Sequence, residues 1–160
     1  MNTIKFSKIL LLTTSLLFAC TALANGEFID DGKGGANPNM TEIGSWQIHH
    51  IAFPSTFIQA ETAKAIGLDR RGNYGLLNIS ILDLANNKAP LKLKVTGYAQ
   101  NLVGHRKDLE FKEVDEGNAV YYLAQVRHAN EETFRFYITI KDPKTGHSEQ
   151  FRFQQKMWVD

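Results

Sequence analysis

Hydrophobic and polar residues alternate along much of the chain. In the segment 132–142, for example, Phe134, Phe136, Ile138 and Ile140 occupy every second position. A period of two residues gives a strand one buried and one solvated face, as in antiparallel sheets. The pattern predicts seven strands, separated by turn signals, over residues 43–53, 74–82, 91–102, 108–114, 119–128, 132–142 and 149–159.

The spacing of these segments predicts the fold class. Short strands that recur about every ten to fifteen residues are typical of a β-sandwich or a barrel. We predict an all-β, antiparallel sandwich of immunoglobulin-like architecture with about seven strands, because two facing sheets bury single-sided apolar patterns directly. Turn sequences at 115–118 and 143–146 fit hairpin connections.

One segment between the first two strands has a helical composition instead. Helix formers run through Ala60–Ile66, and Gly67 stands where a helix C-cap glycine belongs. Thr56 and Gln59 match a capping box, which would start the helix earlier. A helix this short is marginal alone. We therefore expect it to dock through its apolar neighbours, Phe57, Ile58 and Ile66.

The N-terminus has the three parts of a secretory signal peptide. A basic start is followed by an apolar stretch over 9–18 and a small-residue cleavage motif that ends at Ala24. The apolar stretch is shorter than the roughly 20 residues of a membrane-spanning helix. We predict cleavage between Ala24 and Asn25 and export to the periplasm. The mature chain would contain a flexible segment (25–41) and a single β-sandwich domain (42–160).

A lipoprotein signal is the alternative for the N-terminus. The sequence "LFAC" at 17–20 would then make Cys20 a lipid anchor. On the favoured interpretation Cys20, which is the single cysteine of the chain, leaves with the signal peptide. Disulfides, thiolate catalysis and cysteine-based zinc sites are not expected in that case.

The net charge of the mature chain restricts the classes of partner that it can bind. The leading 24 residues carry two lysines and no acidic residue, which leaves 16 basic and 17 acidic residues and a net charge of −1. Proteins that bind nucleic acid carry a basic stripe. We therefore predict no nucleic acid partner, and we find no motif that predicts a cofactor.

Two adjacent histidines, His49 and His50, lie within the first predicted strand. Neighbouring side chains on a strand point to opposite faces, so the pair could hold one metal only across a bulge. The bulky apolar residues change face near His49, which a bulge or a twist would explain. We interpret both as strand residues and predict no metal site. The alternative is a small hydrolase or metal-binding protein that uses His49 or His50.

The connection 54–73 is longer than a hairpin needs, and long connections on rigid scaffolds often carry function. Its paired arginines and the following Gly72 and Asn73 could form a cup for a carboxylate or phosphate. The alternative is a helix that plugs one end of the sandwich, with both arginines in water. The candidate binding residues of this segment are Thr56, Phe57, Arg70, Arg71 and Asn73.

The segment 48–82 resembles the signature of a family of small exported bacterial proteins known as a domain of unknown function. The resembling features are "FPSTF", a short helix ending in "IGL", a basic turn, and "GLLNIS". The resemblance implies that any shared function lies between Phe53 and Ser80, and it implies no mechanism. We expect a non-enzymatic binding or accessory module whose partner is another protein or component of the bacterial envelope.

Overall fold

A computed structural model describes residues 29–30 and 39–160, and most of these residues lie in β-strands. The predicted signal peptide and most of the predicted flexible segment lie outside the described residues. The strands in chain order are β1 (Ile29–Asp30), β2 (Met40–Ile43), β3 (Trp46–Pro54), β4 (Tyr74–Asp83), β5 (Ala89–Pro90), β6 (Lys94–Asn101), β7 (Arg106–Asp108), β8 (Lys112–Asp115), β9 (Val120–Arg127), β10 (Glu132–Lys141) and β11 (Ser148–Met157). A 3₁₀ turn (Ser55–Phe57) and the helix α1 (Ala60–Ala65) lie between β3 and β4.

The strands form two sheets, and the predicted antiparallel β-sandwich is confirmed. Sheet A has the order β1-β11-β10-β6-β7. Sheet B has the order β2-β3-β4-β9-β8, with β5 paired to β4. The short pair β1–β11 is parallel, and the long neighbours pair antiparallel. No helix among the described residues has both the length and the apolar character needed to cross a membrane.

The core lies between the sheets, where the period-two pattern predicts it. The inward side chains of β10 have no exposed surface, and neither have Ile48, Leu77, Ile79 and Ile81 of sheet B. Ring contacts join the strands of sheet A: the Phe136 and Phe153 rings stack with centroids 4.9 Å apart. The buried aromatic and aliphatic side chains of the two sheets form one cluster.

One predicted strand, residues 108–114, is in fact the end of one strand and most of another. β7 ends at Asp108 in sheet A, and β8 begins at Lys112 in sheet B. The chain crosses between the sheets at Leu109, which is 8% exposed and donates its N–H to the Gly97 carbonyl at 3.0 Å. Leu109 belongs to the core cluster, and Phe111, two residues later, is partly buried and packs against it. This spacing mimics the alternation of a single strand.

The segment between β3 and β4 packs on the outer face of sheet B. The ammonium group of Lys112 donates to the Ile66 carbonyl at 3.0 Å. The side-chain amide of Gln125 accepts from the Asp69 N–H (2.9 Å) and donates to its carbonyl (2.6 Å). Leu76 and Leu123 are buried but lie outside the core cluster, as expected for side chains covered on the outer face.

The helix itself differs from its prediction in two respects. It begins at Ala60, and the Thr56 hydroxyl bonds the Asp160 carboxylate instead of capping the helix, so the capping box does not form. Phe57 is 72% exposed, and the docking role predicted for it is wrong; the buried residue of α1 is Ala63. The predicted C-cap is present, because Gly67 has the positive φ of +64° that such caps adopt.

Candidate functional site

The strand around the two histidines is regular. β3 pairs with β4 without interruption from Trp46, opposite Asp83, to Pro54, opposite Gly75. The bulge considered as an explanation near His49 is therefore absent, and the two histidines point to opposite faces. The apolar residues that follow the histidines lie on both faces of sheet B. Ala52 is buried between the sheets, whereas the Phe53 ring stacks on the exposed Phe57 with centroids 6.4 Å apart.

His50 is a buried residue of the core face. Its side chain is 1% exposed, and its ring lies 4.3 Å from the Phe153 ring and 5.2 Å from the Phe151 ring. The Nε2 atom is 3.0 Å from the hydroxyl of Thr41 on β2. A buried polar group of this kind needs such a hydrogen bond. These contacts account for His50 as a packing residue.

His49 faces outward and borders a pocket of about 300 Å³. The register places His49 opposite Ser80 and Ile51 opposite Asn78, so four outward residues of β3 and β4 form one floor. Tyr121 of β9 extends the floor to the next strand. Asn39 and His50 also border the pocket. We call this site the outer-face pocket.

A chain of hydrogen bonds orients the His49 ring. Gln47, which is 5% exposed, donates from Nε2 to a carboxylate oxygen of Glu42 at 2.7 Å. A carboxylate only accepts, so the Gln47 Oε1 atom is the one that faces His49 Nε2, at 3.1 Å. The His49 Nε2 atom must then carry a proton. The neutral ring therefore keeps its acceptor at Nδ1.

The Asn78 amide gives the pocket a second polar feature. Its Oδ1 atom is buried and has no hydrogen-bond partner within the described part of the chain. A buried acceptor without a donor destabilises a fold by roughly 1–3 kcal/mol. Unsatisfied groups of this kind in native structures call for an explanation, and a ligand donor is one.

The candidate residues of the long connection do not border the outer-face pocket. The Ser55 hydroxyl bonds both the carbonyl (3.0 Å) and the N–H (3.1 Å) of Arg71. Arg70 Nε donates to the Ile58 carbonyl at 2.9 Å. Thr56 bonds the carboxylate of Asp160.

The other contacts in this segment have the same local character. The Arg71 guanidinium lies 5.8 Å from the Tyr74 ring centroid and 3.6 Å from an Asp69 oxygen. The Asn73 carbonyl accepts from the His128 N–H at 3.0 Å. The two arginine side chains of the predicted cup and the backbone of Asn73 thus contact their own loop and its neighbours.

Metal-ligand geometry is not seen in the described chain. Residues 29–30 and 39–160 contain no group of three or more His, Cys, Asp or Glu side chains placed to hold one ion. His49 and His50 are separated by the sheet itself.

The groups whose pKa values are shifted do not border the outer-face pocket. A hydrogen bond with Asp115 raises the pKa of Lys92, and the same bond lowers the pKa of Asp115. Burial raises the pKa of Tyr122, and backbone and hydroxyl donors lower the pKa of Asp142. Perturbed groups often mark functional sites. Here none of them is among the residues that border the outer-face pocket, and Tyr122 belongs to the core between the sheets.

Glu132 gives a testable pH dependence. Burial acts to raise the pKa of its carboxyl, but hydrogen bonds from the Ala129 N–H and the Asn101 amide, both 2.8 Å, together with the nearby charge of Lys107, hold the pKa below its ordinary value of 4.5. A pKa lowered by folding adds stability above pH 4.5 that is lost as pH falls through the folded-state value. We expect Glu132→Gln to remove part of the stability loss of the wild type below pH 4.5.

The measurement is the urea midpoint between pH 3 and pH 7. Glu131→Gln is the matched control, because the neighbouring carboxylate is more than half exposed and pairs with Lys156 at the surface. We expect the control to keep the acid dependence of the wild type. An unchanged acid slope in Glu132→Gln would contradict this assignment.

Sequence reasoning identified His49 but missed most of the outer-face pocket. Asn39, Ile51, Asn78, Ser80 and Tyr121 were not among the candidates. A usable signal exists in β4, where the outward positions Asn78 and Ser80 are polar between Leu76 and Leu82. The missing information was the strand register, which brings these positions beside His49.

Together, the fold and the site define a β-sandwich with a small pocket on the outer face of one sheet, lined by apolar surface and a few polar groups. The chain belongs to the DUF4426 family, a domain of unknown function, whose model matches residues 40–160. The predicted family resemblance is thereby confirmed. A DUF4426 family protein from Pseudomonas aeruginosa PAO1 is similar, with 32% identity, a TM-score of 0.68, and coverage of 76% of this chain and 94% of that chain.

More distant structures share the fold alone. A copper-bound variant of FetP from uropathogenic Escherichia coli has 12% identity and a TM-score of 0.57, over 76% of this chain and 95% of that one. FetP expressed in the periplasm of Escherichia coli has 11% identity and a TM-score of 0.50, over 74% and 90% of the two chains. Among curated proteins, none matches the sequence.

Proposed function

We propose that this protein is an exported, non-enzymatic module that binds a component of the bacterial envelope in the outer-face pocket. The observation that carries the proposal is the convergence of His49, Asn78 and Ser80 with Tyr121 on three neighbouring strands. Pockets of at least about 300 Å³ with a few placed polar groups are the usual form of small-molecule sites. Export is supported by the signal-like residues 1–24.

Two alternatives have less support. The similar structure of a FetP variant is copper-bound, but the two adjacent histidines of this chain lie on opposite faces of sheet B and cannot share an ion. A hydrolase would need His49 as a base beside Ser80, with an acid to protonate the leaving group. The residues that border the outer-face pocket include no carboxylate.

The test fills the pocket with a large side chain. Ser80→Trp should block it, while Thr139→Trp is the matched control, because Thr139 is an outward residue of a central strand in sheet A. Each immobilised protein is incubated with a concentrated periplasmic extract, and small molecules in the eluate are identified by mass spectrometry. We expect Ser80→Trp to retain roughly tenfold less of the component, the effect of about 1.4 kcal/mol of binding free energy.

Ile51→Asp provides a second variant should Ser80→Trp fold poorly, because Ile51 is 40% exposed on the pocket floor. Circular dichroism confirms the fold of each protein before use. Equal retention by the pocket variants and the control, or a component that the protein converts to product, would contradict the proposal.

A further inference from the structure

The lining of the outer-face pocket carries hydrogen-bonding groups but no fixed charge. Asn39, Asn78, Ser80 and Tyr121 supply amides and hydroxyls, and each of these groups can both donate and accept. Ligands with a carboxylate, phosphate or ammonium group are usually met by an opposite charge. The composition of this pocket therefore favours a neutral ligand with several hydroxyl groups.

The His49 ring adds a directed acceptor. Because Gln47 and Glu42 hold the proton on Nε2, the neutral ring offers its Nδ1 lone pair. The buried Asn78 Oδ1 atom is a second acceptor without a donor. Acceptors of this kind match hydroxyl groups, each of which can donate one hydrogen bond and accept others.

The apolar part of the floor suits the same ligand class. Tyr121 and Ile51 are both partly exposed at the pocket. A pyranose ring has an apolar face of C–H groups that packs on aromatic and aliphatic surface, and its rim carries the hydroxyls. Tyrosine supplies such contact area together with a hydrogen-bonding tip.

We propose that the outer-face pocket binds one unit of a neutral saccharide. The ring packs on Tyr121 and Ile51, and its hydroxyls bond His49 Nδ1 and the side-chain amide of Asn78. Gln47 acts as a positioning residue, since it contacts the His49 ring and fixes its tautomer. This inference rests on the proposed function and narrows the ligand to one chemical class.

The probes are the β-1,4-linked trimers of glucose and of N-acetylglucosamine. Trigalacturonate, which is similar in size but charged, and trialanine serve as non-matching probes. Binding is measured by calorimetry with the mature wild-type chain, and amide chemical shifts identify the bound residues. We expect saturable binding of at least one neutral trimer, with shift changes at His49, Asn78 and Tyr121 and none for the two non-matching probes.

Variants then separate direct contact from positioning. Tyr121→Ala and His49→Ala should each weaken binding about tenfold, whereas His105→Ala, an exposed histidine of a distant turn, should leave it unchanged. Gln47→Met should also weaken binding, and the ¹⁵N shifts of the His49 ring should change from the Nε2–H form to a mixture of tautomers. Gln47→Asn keeps an amide on a shorter side chain, and we expect it to restore part of the binding that Gln47→Met loses.

The outcomes distinguish this inference from the proposed function. If neither neutral trimer binds but Ser80→Trp still abolishes capture from extract, the saccharide assignment is wrong and the pocket assignment stands. If neither trimer binds and capture is independent of Ser80, both are wrong. Tighter binding of trigalacturonate or trialanine than of the neutral trimers would also overturn the saccharide assignment.

Discussion

Replacement of Phe136 by alanine should destabilise the protein by about 3–5 kcal/mol, the range for large aromatic side chains in well-packed cores. Phe136 has no exposed surface. Its ring stacks on that of Phe153 with centroids 4.9 Å apart, and its centroid lies 6.2 Å from that of Phe134. It lies on β10, which pairs along its length with both β6 and β11. Its removal would leave a cavity where the central strand of sheet A meets sheet B.

Phe57→Ala is the matched control for this experiment. The substitution is chemically identical, but Phe57 is 72% exposed, and surface changes usually alter stability by no more than about 0.5 kcal/mol. Urea denaturation of both variants gives the two free energies of unfolding. A similar loss of unfolding free energy in the two variants would mean that Phe57 is packed in solution. The exposed position assigned to it in the long connection would then be wrong.

The contrast between these two phenylalanines shows what the sequence can predict. Phe136 follows the strict alternation of its strand, and alternation alone identifies the buried face. Phe57 lies in an irregular connection where no period applies. Its exposure depends on where the helix docks, and the docking contacts come from Lys112 and Gln125, far along the chain.

The pocket was less predictable than the fold for a related reason. The sequence predicts that His49 and His50 point in opposite directions, and this is confirmed. The neighbours of His49 on its own face, however, come from the pairing of β3 with β4 and of β4 with β9. Register is determined by the complete sheet and its turns. Asn78, Ser80 and Tyr121 carry no local motif that would associate them with His49.

The adjacent histidines should respond very differently to the same substitution. His50→Ala should lower the free energy of unfolding by about 2–4 kcal/mol, because it creates a cavity beside Phe151 and Phe153 and removes one hydrogen bond to Thr41. His49→Ala should cost about 1 kcal/mol, the lower end of the range for a buried acceptor that loses its donor, because the Gln47 Oε1 atom loses this bond on the partly exposed outer face.

Urea denaturation at pH 7 measures both free energies, with His105→Ala as the exposed control. His50→Phe is an informative further variant, since it keeps the aromatic packing and removes the ring nitrogens. We expect it to recover part of the loss caused by His50→Ala, because ring contacts with Phe151 and Phe153 are retained while the Thr41 hydroxyl loses this partner. If His49→Ala proved as destabilising as His50→Ala, the outward orientation of His49 would be wrong, and the outer-face pocket would lose the residue that orients its ligand.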